Sequence, residues 1–194
     1  MRPDAARVTV AVVKQAATAA EAASQNATVA TAVIDAVRRL LGANADVKTV
    51  YYHLSPVYSN PRDGSPSQIT GFTATNSIEA IAADPSLAGR VIDTAVSAGA
   101  TRVEGIRLFL QNDDASRTQA LRLASQRARA KAEAIALGLG VRLGQILNAQ
   151  EGFASLPSVG IDRNAGASAT AQTPIEPGTL EVRATVTVAI EIAP

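Results

Sequence analysis

The closing stretch of this chain constrains its fold more than any other part. From Leu180 to Ile192 the sequence LEVRATVTVAIEI alternates apolar and polar residues, the period of a strand with one dry face and one wet face. Leu180, Val182, Ala184, Val186, Val188, Ile190 and Ile192 fall on one side, and Glu181, Arg183, Thr185, Thr187 and Glu191 on the other. Such a strand needs hydrogen-bonding neighbours along its length and an apolar layer over one face. The chain must therefore build a sheet and bring helices to cover it.

Helices of the right kind are present. Thr18 and Glu21 have capping-box spacing, and Gly42 can end the helix that follows. Ala19, Ala23, Ala30, Val33, Val37, Leu40 and Leu41 share one face of it, opposite Glu21, Ser24, Thr28, Thr31, Asp35 and Arg39. Asn26 falls near the middle of the apolar face, where an unbonded amide costs roughly 1–3 kcal/mol. Its simpler role is a structural hydrogen bond to neighbouring backbone; the functional alternative is a polar anchor in a pocket. A shorter helix follows Asp84 and Pro85 and stops at Gly99. A third starts near Asp114 or Ser116, with Ser116 and Gln119 spaced as a second capping box. Its stripe of Leu121, Ala124, Ala128, Ala132, Ile135 and Leu139 is largely alanine and permits close approach. The first and third helices are the expected cover for the closing strand.

Five further segments read as strands. RVTVAVV places Val8, Val10 and Val12 on one face. VKTVYYHLSPVY sets Val50, Tyr52 and Leu54 against Thr49, Tyr51 and His53, and the turn NPRDGSP joins it to QITGFTATNSIEAIAA as a hairpin. TRVEGIRLFLQ aligns Ile106, Leu108 and Leu110, and VRLGQILNAQEG is a short strand. The order is β-α-β-β-α-β followed by α-β-β, and its first six elements are those of a split-βαβ, ferredoxin-like unit. The expected class is α+β, with helices layered on a mainly antiparallel sheet. Residues 1–194 are expected to form one domain. Its split-βαβ part covers 1–111, and an α-β-β elaboration over 112–194 packs on the same sheet or starts a second one.

Segment 152–178 has no periodicity. Its few large apolar residues include Phe153, Leu156, Val159 and Ile161. Loops this long in a compact domain tend to be binding elements or disordered. The segment therefore reads as an exposed arm that orders against a neighbouring subunit, which makes the chain a homo-oligomer.

A net charge of +1 argues against a partner selected by bulk electrostatics, such as nucleic acid or an anionic membrane. The absence of cysteine removes disulfides, thiolate chemistry and cysteine zinc sites. No apolar run reaches the ~20 residues that span a bilayer, and MRPDAARVTV lacks the apolar core of a signal peptide. These features leave the compartment open.

Candidate chemistry is sparse. His53 is the only histidine; with no nucleophile or orienting partner nearby in sequence, it reads as an ordinary strand residue rather than a general base. Asp113 and Asp114 could act as acid and base or hold a cation, but before a helix they more simply cap it and offset its dipole. GLGVRLG closes a helix, whereas a dinucleotide loop opens one. Arg117, Arg122, Arg127, Arg129 and Lys131 scatter around the third helix and interleave with no aromatic residue, so base stacking has no platform. No cofactor, metal or catalytic residue is expected. The alternative is a small-ligand binder or hydrolase with a pocket near His53, Asp113 and Asp114.

Seven segments taken in order resemble the SIMPL-domain family: RPDAARVTVAV, TAAEAASQNATVATAV, ADVKTVYYHLSPVY, GFTATNSIEA, GRVIDTAVSAGA, QALRLASQRARAKAEAIALGLGVRLGQI and PIEPGTLEVRATVTVAI. The resemblance covers nearly the whole chain, from Arg2 to about Ile192. It implies an exported bacterial protein, periplasmic or peripherally associated with the outer membrane, whose leader precedes the RPD segment. Some members of the family are associated with stress defence. The family brings no catalytic residues to carry over, so the resemblance implies a non-enzymatic envelope protein.

Overall fold

The computed structural model describes residues 1–42, 44–60, 66–152, 159–160, 175 and 178–193. Strands β1 (Ala5–Ala16), β2 (Val47–Tyr58), β3 (Ile69–Ala82), β4 (Arg102–Phe109), β5 (Arg142–Gly152), β6 (Val159–Gly160) and β7 (Thr185–Ala193) alternate with helices α1 (Ala19–Leu41), α2 (Ala88–Ser97) and α3 (Asp114–Leu139). The class is α+β. The chain divides into two compact units.

The larger unit contains Pro3–Phe109 and Val159–Gly178. Its sheet has the order β2-β3-β1-β4-β6. Both β1 and β2 pair antiparallel with β3, so they run parallel to each other with β3 between them. Strand β4 pairs antiparallel with the other edge of β1. This is the ferredoxin-like arrangement expected from the order of the first six elements.

Alternation decides which side chains face the helices. Val8, Val10 and Val12 of β1, Ile78 and Ala80 of β3 and Leu108 of β4 form one core with Ala30, Val33 and Val37 of α1 and Val91, Ile92 and Ala95 of α2. Each fully buried Val, Leu or Ile contributes roughly 1.5–3 kcal/mol relative to exposure. The deepest line along α1 is Ala22, Asn26, Ala30, Val33 and Val37; Ala19 and Ala23 flank it half-buried.

The local signals act as helix ends should, with differences in detail. Thr18 Oγ1 accepts from the Glu21 N–H at 3.2 Å, but Glu21 Oε1 accepts from Gln25, so only half of the capping box forms. Gly42, at φ +100° and ψ 159°, ends α1 outside the left-handed helical region, and its N–H still reaches Arg38 O. Asp84 accepts from the Ser86 N–H at 2.9 Å and starts a 3₁₀ turn before α2; hydrogen bonding from the Ser86 side chain, and then from its N–H, holds the carboxyl below the ordinary range.

Strand β2 departs from the expected alternation. A bulge at Val50 lies between the pairs Thr49↔Ile78 and Tyr51↔Ser77. The extra residue moves Thr49 onto the same face as Tyr52 and Leu54, where its hydroxyl donates to Asn76 Oδ1 at 3.2 Å.

The smaller unit contains Met1–Arg2, Leu110–Ser158 and Thr179–Pro194. Here the closing strand pairs with β5 in a two-stranded antiparallel sheet of its own. Strand β7 begins at Thr185, later than the alternating run. The preceding Leu180 is buried, and Met1 exchanges both backbone hydrogen bonds with it at 2.7 Å each. Helix α3 packs on β5 and β7, whereas α1 packs on the strands of the larger sheet. The expectation that α1 helps cover the closing strand is therefore wrong, because β1 and β3 already occupy its apolar face.

The inward line of α3 also differs from the expected stripe. Ala124, Ala128 and Ala132 are half-buried and Ala136 is buried, but Ile135 and Leu139 point outward. At 100° per residue, a line of residues four apart drifts about 40° per step, and the alanine series follows that drift to 136. The helix begins at Asp114, and Ser116 contacts Met1 Sδ instead of forming a capping box with Gln119.

Within segment 152–178, Val159–Gly160 forms β6 beside Arg107 and Leu108 of β4, and Ile175 packs against the core of the larger unit. This adds a strand to the expected order. Phe153, Leu156 and Ile161 lie outside the described residues.

Close packing in the larger unit is tightest at Gly99, where the chain leaves α2 at φ +110° and a Cβ would meet Val29 Cγ1 of α1 at 2.7 Å. Gly99→Ala combines a strained backbone with this clash and should lower stability by roughly 1–3 kcal/mol. Chemical denaturation measures it. A change within about 0.5 kcal/mol, the range of an ordinary surface substitution, would show that α1 and α2 do not approach this closely.

Candidate functional site

Three places gather polar side chains, and each is set by a different local device. The first is Asn26, in the middle of α1. Its side chain is fully buried, and its Nδ2 donates to Val12 O of β1 at 2.8 Å and to Ala74 O of β3 at 2.9 Å. Both N–H groups of the amide are thus engaged on adjacent strands. Its Oδ1 is buried with no hydrogen-bond partner among the described residues. The arrangement bonds a helix to two strands and lies inside the core.

The second is the face of the larger sheet that carries no helix. Lys48, Tyr51 and His53 of β2 stand there opposite Glu79, Ser77 and Thr75 of β3, with Arg7 and Thr9 of β1 and Glu104 and Arg107 of β4 beyond them. His53 is exposed and its ring stacks on Tyr51, centroids 6.1 Å apart. Glu79 pairs with both Arg7, at 3.5 Å, and Lys48, at 3.6 Å. Lys48 Nζ also donates to Asp46 Oδ2 at 3.0 Å, and this contact raises the lysine's pKa. A concavity of about 310 Å³ lies between Arg7, Thr9, Glu104, Gly105, Ile106 and Arg107.

The third lies at the start of α3, in the smaller unit. Asp113 Oδ2 accepts from Arg117 Nε at 2.6 Å, and the carboxylate raises the arginine's pKa. Asp113 does not cap the helix; Asn112 Oδ1 accepts the Asp114 N–H at 3.0 Å instead. Asp114 occupies the first turn, where its charge suits the helix dipole. Farther along, Arg129 pairs with Glu133 at 3.0 Å, and Gly140, at φ +70°, closes the helix.

His53 and the two aspartates therefore belong to different units. A second concavity, about 430 Å³ in volume, lies between α1 and α2 and is lined by Ala36, Asp93, Thr94, Ser97 and Ala98. Neither concavity includes His53, Asp113 or Asp114. Among the described residues no group of three or more histidine and carboxylate side chains is placed to hold a metal ion. No described helix is long and apolar enough to cross a membrane. The Arg7–Arg107 neighbourhood has no signature in the sequence, because it depends on which residues of β1 and β4 fall opposite each other.

The family model of SIMPL, described as a protein of unknown function (DUF541), matches residues 1–190. The chain belongs to the SIMPL family. It is also similar to the 26 kDa periplasmic immunogenic proteins of Brucella melitensis biotype 1 and Brucella abortus strain S19. Identity to each is 28% over 152 residues, which is 77% of this chain and 61% of the relative. The chain thus spans about three fifths of the length of these curated relatives.

The Asn26 clamp gives a direct stability test. A buried acceptor deprived of its donor costs roughly 1–3 kcal/mol, and Asn26→Leu deprives two. It should lower the unfolding free energy by about 2 kcal/mol or more. Asn26→Asp keeps the shape but removes both donors, and should be at least as damaging at neutral pH. Urea denaturation of both variants is the measurement; a Leu variant as stable as the parent would show that the two carbonyls do not depend on the amide.

Proposed function

We propose that this chain is a non-catalytic protein of the bacterial cell envelope that works through self-assembly or protein partner binding. The observation that carries the reading is the apolar surface of the smaller unit. Leu137 is 83% exposed and Leu147 68%, and Ile135, Leu139 and Ile146 are each at least 60% exposed. Only Ala136 of α3 is buried. A two-stranded sheet is marginal by itself, and large apolar side chains left exposed on it and on both flanks of its covering helix are what a partner would bury. A second copy of this chain, or another protein, would cover these side chains.

The engagement of the candidate catalytic groups supports the non-catalytic part of the reading. Asp113 is held by Arg117, and His53 stacks on Tyr51 in the open. Nucleophilic or acid–base catalysis needs a base within reach of a nucleophile and an orienting third group. The periplasmic location in the names of the Brucella relatives supports placement of this chain in the same compartment.

Light scattering after size exclusion at micromolar concentration tests assembly. The expected mass is a multiple of 19.9 kDa. Leu137→Asp combined with Leu147→Asp should lower that mass while the helix and strand signals of circular dichroism persist. A monomeric parent that also captures no partner under cross-linking in the envelope fraction would overturn the proposal. A turnover assay across ester, phosphate and glycoside substrates that lost activity with His53→Ala would instead establish the hydrolase alternative.

A further inference from the structure

We propose that the helix-free face of the larger unit binds a small oxyanion, a carboxylate or phosphate group, between Arg7 and Arg107. This site is independent of the apolar surface that supports self-assembly.

The register sets up the site. Arg7 of β1 and Arg107 of β4 are directly paired across the antiparallel ladder. Directly opposed residues hold their Cβ atoms about 4.5–5.5 Å apart on one face, and like charges there repel. Glu79 answers Arg7 at 3.5 Å but also serves Lys48 at 3.6 Å. Arg107 is exposed, with no side-chain hydrogen bond or ion pair among the described residues. The pair therefore carries more positive charge than its immediate neighbours offset.

Arg7 is also held in place. Its guanidinium lies over the Phe109 ring, 5.3 Å from the centroid. Its Nε is buried and faces Glu79 Oε2 at 3.5 Å, an ion pair without a hydrogen bond. The stacking and the ion pair at Nε fix the plane of the fork, so that little side-chain freedom is lost when an oxyanion docks at its terminal nitrogens. The terminal nitrogens of such a fork suit two oxygens of one carboxylate or phosphate.

The backbone beside the pair is shaped for access. The register passes from Thr9↔Gly105 to Val10↔Val103, so Glu104 is the extra residue of a bulge. Bulges re-aim side chains and are over-represented next to binding sites. At Gly105 a Cβ would meet nothing within 4 Å, which leaves open space above the strand. The concavity of about 310 Å³ contains both arginines, the Thr9 side chain and this glycine, at the low end of the size range of small-molecule sites. Glu104 lines the same concavity and pairs with Arg102 at 3.6 Å. Its charge limits the site to one anionic group of a ligand and disfavours a second on that side.

The test uses the full chain and two probes, inorganic phosphate and succinate, followed by isothermal titration calorimetry in a chloride buffer of fixed ionic strength. Saturable binding of one or both probes is expected, and the ratio of their dissociation constants tells phosphate from carboxylate preference. Arg107→Gln should weaken binding at least tenfold, and Arg7→Gln by a similar factor. Arg122→Gln, on α3, should leave it unchanged. Without anion, Arg107→Gln should melt no lower than the parent, because it relieves the repulsion; a purely structural arginine would lower the melting temperature. No saturable heat for either probe, or equal affinity in the parent and the Arg107→Gln protein, would overturn the site. The Arg107→Gln protein decides this even if Arg7→Gln fails to fold.

Discussion

One amide side chain ties the larger unit together. Asn26 sits where a helix crosses two adjacent strands, and its Nδ2 bonds to a carbonyl on each. The two acceptors fix both the position of α1 along the sheet and its rotation, because a one-residue slip would carry the amide to another face. Apolar packing alone would tolerate neighbouring registers of a helix so rich in alanine and valine. A buried amide does not, since every alternative leaves polar groups unpaired. Oδ1, with no partner among the described residues, shows that the clamp carries a cost of its own, and the burial of Val33, Val37, Ile78 and Leu108 in the core of the same unit offsets that cost.

The same contrast separates the two units. In the larger one, two helices lie on a five-stranded sheet and large apolar side chains reach near-complete burial. In the smaller one, a single alanine-lined helix faces two strands. Val182, Val186, Val188 and Ile190 of the closing run are only half-buried there. Alanine lets the helix approach closely but covers little area, so the valines beneath it stay partly wet. The long regular strand is thus the backbone of a thin layer, and the exposed leucines and isoleucines around it are what a thin layer leaves uncovered.

Much of the architecture was legible in the sequence because it rests on local periodicity. Val8, Val10 and Val12 announce one face of β1, and the order of the first six elements leads to the ferredoxin-like sheet found. Thr18 and Asp84 mark helix starts through hydrogen bonds that span two or three residues. The position of Asn26 on the apolar face was readable for the same reason. What could not be read depends on contacts distant in sequence. The bulge at Val50 moves Thr49 to the other face, and nothing in VKTVYYHL announces it. The assignment of the closing strand to a second sheet depends on which partner is free, and β5 was. Alternation places Arg7 opposite Val8 and Arg107 opposite Leu108, but only the register makes the two arginines neighbours.

Register also explains why the polar face of the larger sheet differs from a merely solvated one. A solvated face is satisfied by pairing opposite charges across strands, as Glu79 does with Arg7 and Lys48. Opposing Arg7 to Arg107 breaks that pattern at one point, and the bulge at Glu104 falls two residues along β1 from it. A bulge costs ladder hydrogen bonds and a like-charge pair costs Coulomb energy; neither improves the sheet. The bulge and the open glycine leave room beside the two arginines, and an anion bound between them, as proposed above, would offset their repulsion.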